Sequence, residues 1–451
     1  MITTPAKSYV SNITHYASRL TPYASRITHY ALRITYYVLI LSTLTSCNNN
    51  EASSISFMVF GDPAEFAAYE QLVAAFTTEH PDIPIQLRHL PSQAEYRQRL
   101  ATDFSAGTPP DIMLLNYRRF AEFAGQGVLE PLGPYLVGSQ IIQANDFFEQ
   151  TVTAFTWDGQ LWCIPQNISS LVVYYNQDLF EAAGVPLPGY DWTWADFVTA
   201  AQALTLDMDG DGRQDQYGAG LEASLFRLAP FIWQNGGNLV DNPDQPTRLT
   251  LDSPESLAAF QWFVDLQIKE KVVPDAVAEA AESSESRFLN GRLAMYFNSR
   301  RGVPTYRTIT QFTWDVAPLP IGRQAAGILH SDAYCLAANA ADKEAAWIFI
   351  EFANSPTGQS LIATSGRTVP SLKNIADSPA FLDDQPPAHA RIFLDTISVL
   401  GQVPLIPNWV RIEETAGREV ERAFYGQATV EEAAATAINL TQPFFDQFQP
   451  P

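Results

Sequence analysis

Two groups of residues in this 451-residue chain have the types and spacing to hold a ligand. The first is the run Asp207-Met208-Asp209-Gly210-Asp211-Gly212-Arg213-Gln214-Asp215. Carboxylates at loop positions 1, 3, 5 and 9 with glycine at 6 match the front of an EF-hand loop, which wraps a hard cation in oxygen ligands. Arg213 would add its backbone carbonyl. The twelfth position, however, is Gly218, where such a loop wants a bidentate glutamate. The run is therefore either a structural calcium site completed by Glu222 or another distant carboxylate, or an acidic surface turn. The second group is aromatic. Phe, Trp and Tyr make up 12% of the chain, and Trp192, Trp233, Trp314 and Trp409 lie beside turn-forming residues instead of within helical stripes. A flat ring with a polar rim suits the CH-rich face of a pyranose; the alternative for each indole is core packing.

Motifs of catalysis are missing. The chain has no HExxH, P-loop, CxxC, GxSxG or GxGxxG. His15, His29, His80, His89, His330 and His389 are scattered. With 49 acidic residues, some carboxylate pair will have glycosidase-like spacing by chance, so such pairs carry no weight. The expectation is a protein that is not an enzyme and needs no cofactor for chemistry.

The segment Leu44-Thr45-Ser46-Cys47 closes a short apolar run that begins near Ile34, with Arg33 as its positive flank. Small residues before a cysteine form a lipobox, in which the thiol receives a lipid and the amine becomes the mature N-terminus. Residues 1–46 then read as a signal segment, partly spurious because ITHYASR, TPYASR, ITHYALR and ITYYVL repeat one unit; residues 47–53 read as a lipid-anchored linker. Beyond it the basic count is 27 − 4 = 23, since Lys7, Arg19, Arg26 and Arg33 are lost, against 49 acidic residues, a net of −26. Such a surface repels nucleic acid and anionic lipid headgroups. Cys163 and Cys335 remain; they either pair or stay as two buried thiols, and the sequence leaves both open.

Positioning elements follow from periodicity and caps. After the strand SISFMVFG, Asp62 is an N-cap, Pro63 suits the first helical position and Glu65 has capping-box spacing. A strand IPIQLRHL, a polar helix from about Gln93 to Phe104 and a strand DIMLLN come next, which predicts a parallel sheet covered by helices. Ligands gather at the C-terminal strand ends of such sheets, which points to the Gly61-Asp62 turn and to Asn116-Tyr117. Further helices are expected at Asp178 to Ala183, after Thr193 (with Asp196 at the third position), after Ser253, after Asp342 with Ala345, Ile348, Phe349 and Phe352 inward, and from about Arg411 to Tyr425. A short helical segment TVEEAAATAINL follows the last of these.

The order of segments resembles the extracellular solute-binding proteins of ABC importers, in the sugar-binding family that includes maltose-binding protein. The stretches that carry it are TPPDIMLLNYRRFAEFAGQGVLEPL, DGQLWCIPQNISSLVVYYNQDLFEAAGVPLPGYDWTWADFVTAAQAL, FIWQNGGNLVD, FLNGRLAMYFNS, FTWDVAPLP and AYCLAANAADKEAAWIFIEFANSPTGQ. They span nearly all of the chain after Ser54, and their order and spacing are more specific than any one of them. The resemblance implies an α/β, two-lobed periplasmic-binding-protein fold with discontinuous lobes and a hinge. Lobe 1 would comprise 54–166 and 333–372, and lobe 2 would comprise 167–332 and 373–451. Crossings would fall near Pro165 to Ile168, Asp332 to Cys335 and Pro370 to Asn374.

By position, the resemblance also implies polar ligand contacts from Asn116, Asn167, Gln234, Asn235, Asn298, Asp332 and Arg367, beside Asp62 and the four tryptophans. It implies a monomeric, membrane-anchored extracytoplasmic receptor that closes on a sugar or oligosaccharide and hands it to the permease subunits. A polyol, glycerol-3-phosphate or other polar solute is the second reading; an anion would call on Arg300, Arg301 and Arg367. A secreted lipoprotein glycosidase, or a structural surface adhesin, is the reading from other classes.

Overall fold

The computed structural model describes residues 54–447. Cys47 and the signal and linker segments lie outside the described residues. Two β-sheets organise the chain. The first has the strand order Ile85–Leu90, Ile55–Phe60, Ile112–Asn116, Asp332–Ala337, Leu129–Glu130, with Cys163–Pro165 also pairing Asp332–Ala337. Its opening three strands are parallel, as βαβ connections require. The sheet is mixed, however, because Asp332–Ala337 runs antiparallel to Ile112–Asn116. A local reading of the first hundred residues could not see a strand arriving from beyond residue 330.

The sequence explains why this sheet forms. Ile55–Phe60 is buried along its whole length, and Phe57 packs against Tyr69, Tyr334 and Phe349 with ring centroids 5.0–5.8 Å apart. The helix Pro63–Glu79 covers one face with Ala68, Tyr69, Leu72 and Phe76. Asp62 caps it through the amides of Ala64 and Glu65, while the Glu65 side chain turns away instead of completing the reciprocal capping box. Cys163 and Cys335 are a register pair of adjacent antiparallel strands and form a disulfide, which settles the alternative left open above.

The second sheet orders Tyr217–Gly220, Leu293–Asn298, Val172–Asn176, Trp314–Ala317, with only the first pair parallel. Helices Trp194–Ala203, Leu225–Gln234, Pro254–Ile268, Trp409–Phe424 and Val430–Asp446 belong to this half. Thr193 and Asp196 form the reciprocal capping box read from their spacing. Helix Val430–Asp446 is longer than the sequence suggested: it runs through Pro443 because Thr441 and Phe445 are buried. The helix Lys343–Ala353 is capped by Asp342 as expected, but its buried arc is Ala346, Trp347, Phe349, Ile350, Phe352 and Ala353, leaving Ala345 and Ile348 half-buried. Three extended segments lie side by side between the sheets. Ser169 and His330 exchange backbone hydrogen bonds of 2.8 and 2.9 Å, Gln166 N donates to Asp332 O at 2.9 Å, and Val369–Pro370 pairs Asn167–Ile168. Among the described residues no helix is long and apolar enough to cross a membrane.

Candidate functional site

A cleft of about 670 Å³ opens where strand ends of both sheets meet the three extended segments. Phe60 and Asn116 end strands of the first sheet, Asn298 ends one of the second, and Asn167, His330 and Asp332 come from the segments between. Helices Leu225–Gln234 and Trp409–Phe424 wall the opposite side. Of the expected contacts, Asn116, Asn167, Asn298, Asp332 and Arg367 share this lining.

Their side chains are held in place before any ligand arrives. Asn116 Nδ2 donates to Asp332 Oδ1 at 3.1 Å and to Ser331 O at 3.2 Å, while its Oδ1 accepts from Arg118 Nε at 3.0 Å. Asn167 Oδ1 accepts from the Asp332 amide at 3.0 Å, and its Nδ2 donates to Gln166 Oε1 at 2.8 Å. Asn298 Nδ2 donates to Tyr306 OH at 2.7 Å. A polar group fixed in this way loses little rotamer entropy on binding.

At one end of the cleft, Arg367 bridges Asp62 and Glu65; its Nε lies 2.6 Å from Glu65 Oε2. Asp62 does not line the cleft itself and acts through this arginine. Only glycine is possible at Gly61, which has φ +154° and where a Cβ would lie 2.1 Å from Glu65 Oε2. Burial pushes the Glu65 carboxyl up to about 7, against the opposing pull of Arg367 and Arg301. On the far side, Arg118 lies 4.0 Å over the Phe226 ring and pairs with Glu413 at 2.5 Å. His330 stacks on Phe226 with centroids 5.0 Å apart, and burial, followed by Arg227, Arg118 and Arg301, drives its pKa well down. It is a neutral ring.

The tryptophans sit elsewhere. Trp192 is buried with Nε1 donating to Pro318 O, and Trp314 packs on Tyr174 and Tyr306. Trp233 presses on the backbone of Gly401. Trp409 is fully buried and reaches the cleft only through Glu413, to which its Nε1 donates at 3.1 Å. Gln234 is buried between Trp194 Nε1 and Ala326 O, and Asn235 ends its helix with Nδ2 on Glu255 O at 2.7 Å. The aromatic surface of the cleft is Phe226, Phe60 and His330 instead. Sequence reading passed over Phe226, Arg118 and Arg227; the available signals were Ser224 as N-cap for Phe226 and Arg227 and Asn116 as N-cap for Arg118, which mark the starts of the two helices that carry them. Arg300 is also outside the cleft, buried with Nε on Gly366 O.

In the acidic loop, ligand atoms of Asp207, Asp209 and Asp215 lie within 4.8 Å of one another, so this exposed triad could hold a metal. Gly218 is closed to a side chain, because a Cβ would meet Ala201 O at 2.0 Å. Glu222 faces Arg227 at 3.3 Å in the cleft and does not complete the loop.

A profile of the bacterial extracellular solute-binding protein family matches residues 61–360. The chain belongs to that family. It is 24% identical over 420 residues to a putative binding protein of Brucella abortus, covering 88% of this chain and 95% of the relative. Among solved structures it matches the ABC substrate-binding protein Lmo0181 of Listeria monocytogenes in complex with cycloalternan, with TM-score 0.79 and 25% identity over 87% of this chain and 98% of that one. Maltose-bound MalE3 of T. maritima matches with TM-score 0.73 and 24% identity over 87% and 99%. The solute-binding protein therefore has the two-lobed periplasmic-binding fold and belongs to a binding, non-catalytic family.

Proposed function

We propose that this protein captures a neutral sugar or oligosaccharide in the cleft and delivers it to an ABC permease, held at the membrane surface by lipid on Cys47. The observation that carries the reading is the charge balance of the cleft: six arginines and six carboxylates line it. Arg118, Arg119, Arg227 and Arg367 each face a carboxylate of the protein. Guanidinium and carboxylate groups fixed against each other still offer unused donors and acceptors to hydroxyls, but they present little net field to an anion. The cycloalternan bound by the Listeria relative is such a neutral, hydroxyl-rich solute. Closure of lobes 54–166 with 333–372 and 167–332 with 373–451 around the solute completes the reading; strand membership of the two sheets supports those boundaries.

One observation favours an anionic solute. Arg301 lines the cleft with no carboxylate within ion-pair distance among the described residues; its Nη1 donates to Gln93 Oε1 at 3.5 Å. Melting temperatures across a panel of saccharides, polyols and glycerol-3-phosphate decide between the two, because a ligand selective for the folded state raises the transition by linkage. A saccharide hit supports the proposal. A shift with glycerol-3-phosphate alone overturns it in favour of the anion, and recovery of a cleaved saccharide overturns the binding role.

For the acidic loop we propose a structural calcium ion held by Asp207, Asp209 and Asp215; Asp211, expected as a fourth ligand, lies outside that triad and accepts from the Arg213 amide. With glycine at the twelfth position the bidentate ligand is missing, which lowers the ligand charge count and weakens the site. Millimolar calcium should raise the melting temperature of the protein but not of Asp209→Asn; identical curves with and without chelator would end the idea.

A further inference from the structure

A second chamber adjoins the cleft. It has a volume of about 370 Å³ and lies between helices Gln93–Ser105 and Tyr117–Gly125, over the ends of strands Ile55–Phe60 and Ile112–Asn116. Phe60, Gln93, Asn116 and Arg119 line both spaces, so the chamber and the cleft share a wall. The chemistry of the two differs. The cleft is built of paired charges, whereas the chamber has an apolar floor of Leu100, Phe104, Leu114, Leu115, Phe123 and Val128 with Arg97, Arg119, Glu122 and Gln126 at its more exposed rim. Phe104 and Phe123 approach each other with ring centroids 5.0 Å apart. Tyr96, which also lines it, has its hydroxyl committed to backbone: it donates to Leu114 O at 2.8 Å and accepts from Leu114 N at 3.0 Å. That leaves its ring as apolar surface. An apolar space of about 150 Å³ already takes up benzene, so this volume accommodates an aryl group or a short alkyl chain.

We infer that the solute is an amphiphilic glycoside, whose sugar lies in the cleft and whose apolar aglycone enters this chamber. The inference rests on the sugar-binding reading of the cleft. It is supported by adjacency: the two spaces share Phe60, Gln93, Asn116 and Arg119, so a substituent leaving the sugar beside Asn116 lies next to an apolar floor. Hydroxyls set on the apolar floor would be short of partners, whereas a phenyl ring there gains transfer free energy for the area it buries.

The test compares methyl and phenyl glycosides of the same sugars (gluco, galacto, manno and arabino series) by titration calorimetry. Ala101, exposed on the rim of the chamber, supplies a plug that does not touch the core: Ala101→Trp. The expected result is a phenyl glycoside that binds about 10-fold or more tightly than its methyl counterpart, with the ratio returning to near one in Ala101→Trp and the methyl glycoside unaffected. Equal affinity of both aglycones in the native protein overturns the chamber assignment while leaving the cleft intact. A phenyl advantage that survives the plug places the aglycone elsewhere and overturns it too. Failure of all glycosides to bind removes the sugar reading itself, and this inference with it.

Discussion

Replacing Glu65 by glutamine isolates the most unusual electrostatic feature of the cleft. Glu65 is in the first turn of its helix, where the helix dipole favours an anion, and it has Arg367 2.6 Å away. Burial outweighs both, and the carboxyl rises from 4.5 to about 7. The folded protein thus holds this proton more tightly than the unfolded chain does. Below pH 4.5 both states are protonated and the stabilising difference is fully present. As pH rises through about 7 the unfolded chain has lost the proton, the folded one gives it up at a cost, and the difference is lost. The displacement corresponds to about 3 kcal/mol. Glu65→Gln keeps the shape and removes the titration. Urea unfolding of both proteins at half-unit steps from about pH 4 to about pH 8 should show the stability of the native chain falling by about 3 kcal/mol relative to the variant. All other titrating groups cancel in that difference. A flat or rising difference would mean that Arg367 holds Glu65 ionised throughout, and the argument from burial would be wrong.

Asp332→Asn should weaken binding of any saccharide hit about 10-fold or more, because Asp332 orders Asn116 and offers a charged acceptor to the cleft; titration calorimetry with unchanged affinity would remove it from the site. Trp192→Ala should destabilise by about 3–5 kcal/mol in urea while leaving affinity intact at low temperature, the signature of a core indole; a loss of affinity with normal stability would return it to the ligand. Replacing Cys163 and Cys335 by alanine opens a covalent link across 172 residues and should cost about 4–5 kcal/mol. Melting curves under reducing and non-reducing conditions that superimpose would show that the link contributes nothing.

Much of the fold was legible because it is local. The Asp62 cap, the Thr193–Asp196 capping box and the apolar strand at Ile55–Phe60 need only neighbours in sequence, and segment order carried the family resemblance. Among the expected contacts, Asn116, Asn167, Asn298 and Asp332, which lie at strand ends, meet in one cleft. Indoles could not be assigned the same way, since a tryptophan beside a turn satisfies core and cleft equally until its neighbours are known. Trp314 met Tyr174 and Tyr306, and Trp233 met Gly401.

By itself the sequence determined where helices begin, which runs could be strands, and that no catalytic motif is present. Tertiary structure alone decided the antiparallel entry of Asp332–Ala337 beside Ile112–Asn116, the Cys163–Cys335 pairing, and the meeting of Arg367 with Glu65 across 302 positions of chain. The physical reason is range. Capping and periodicity act within a turn of backbone, whereas charge pairing and desolvation depend on groups brought together only by the closed fold.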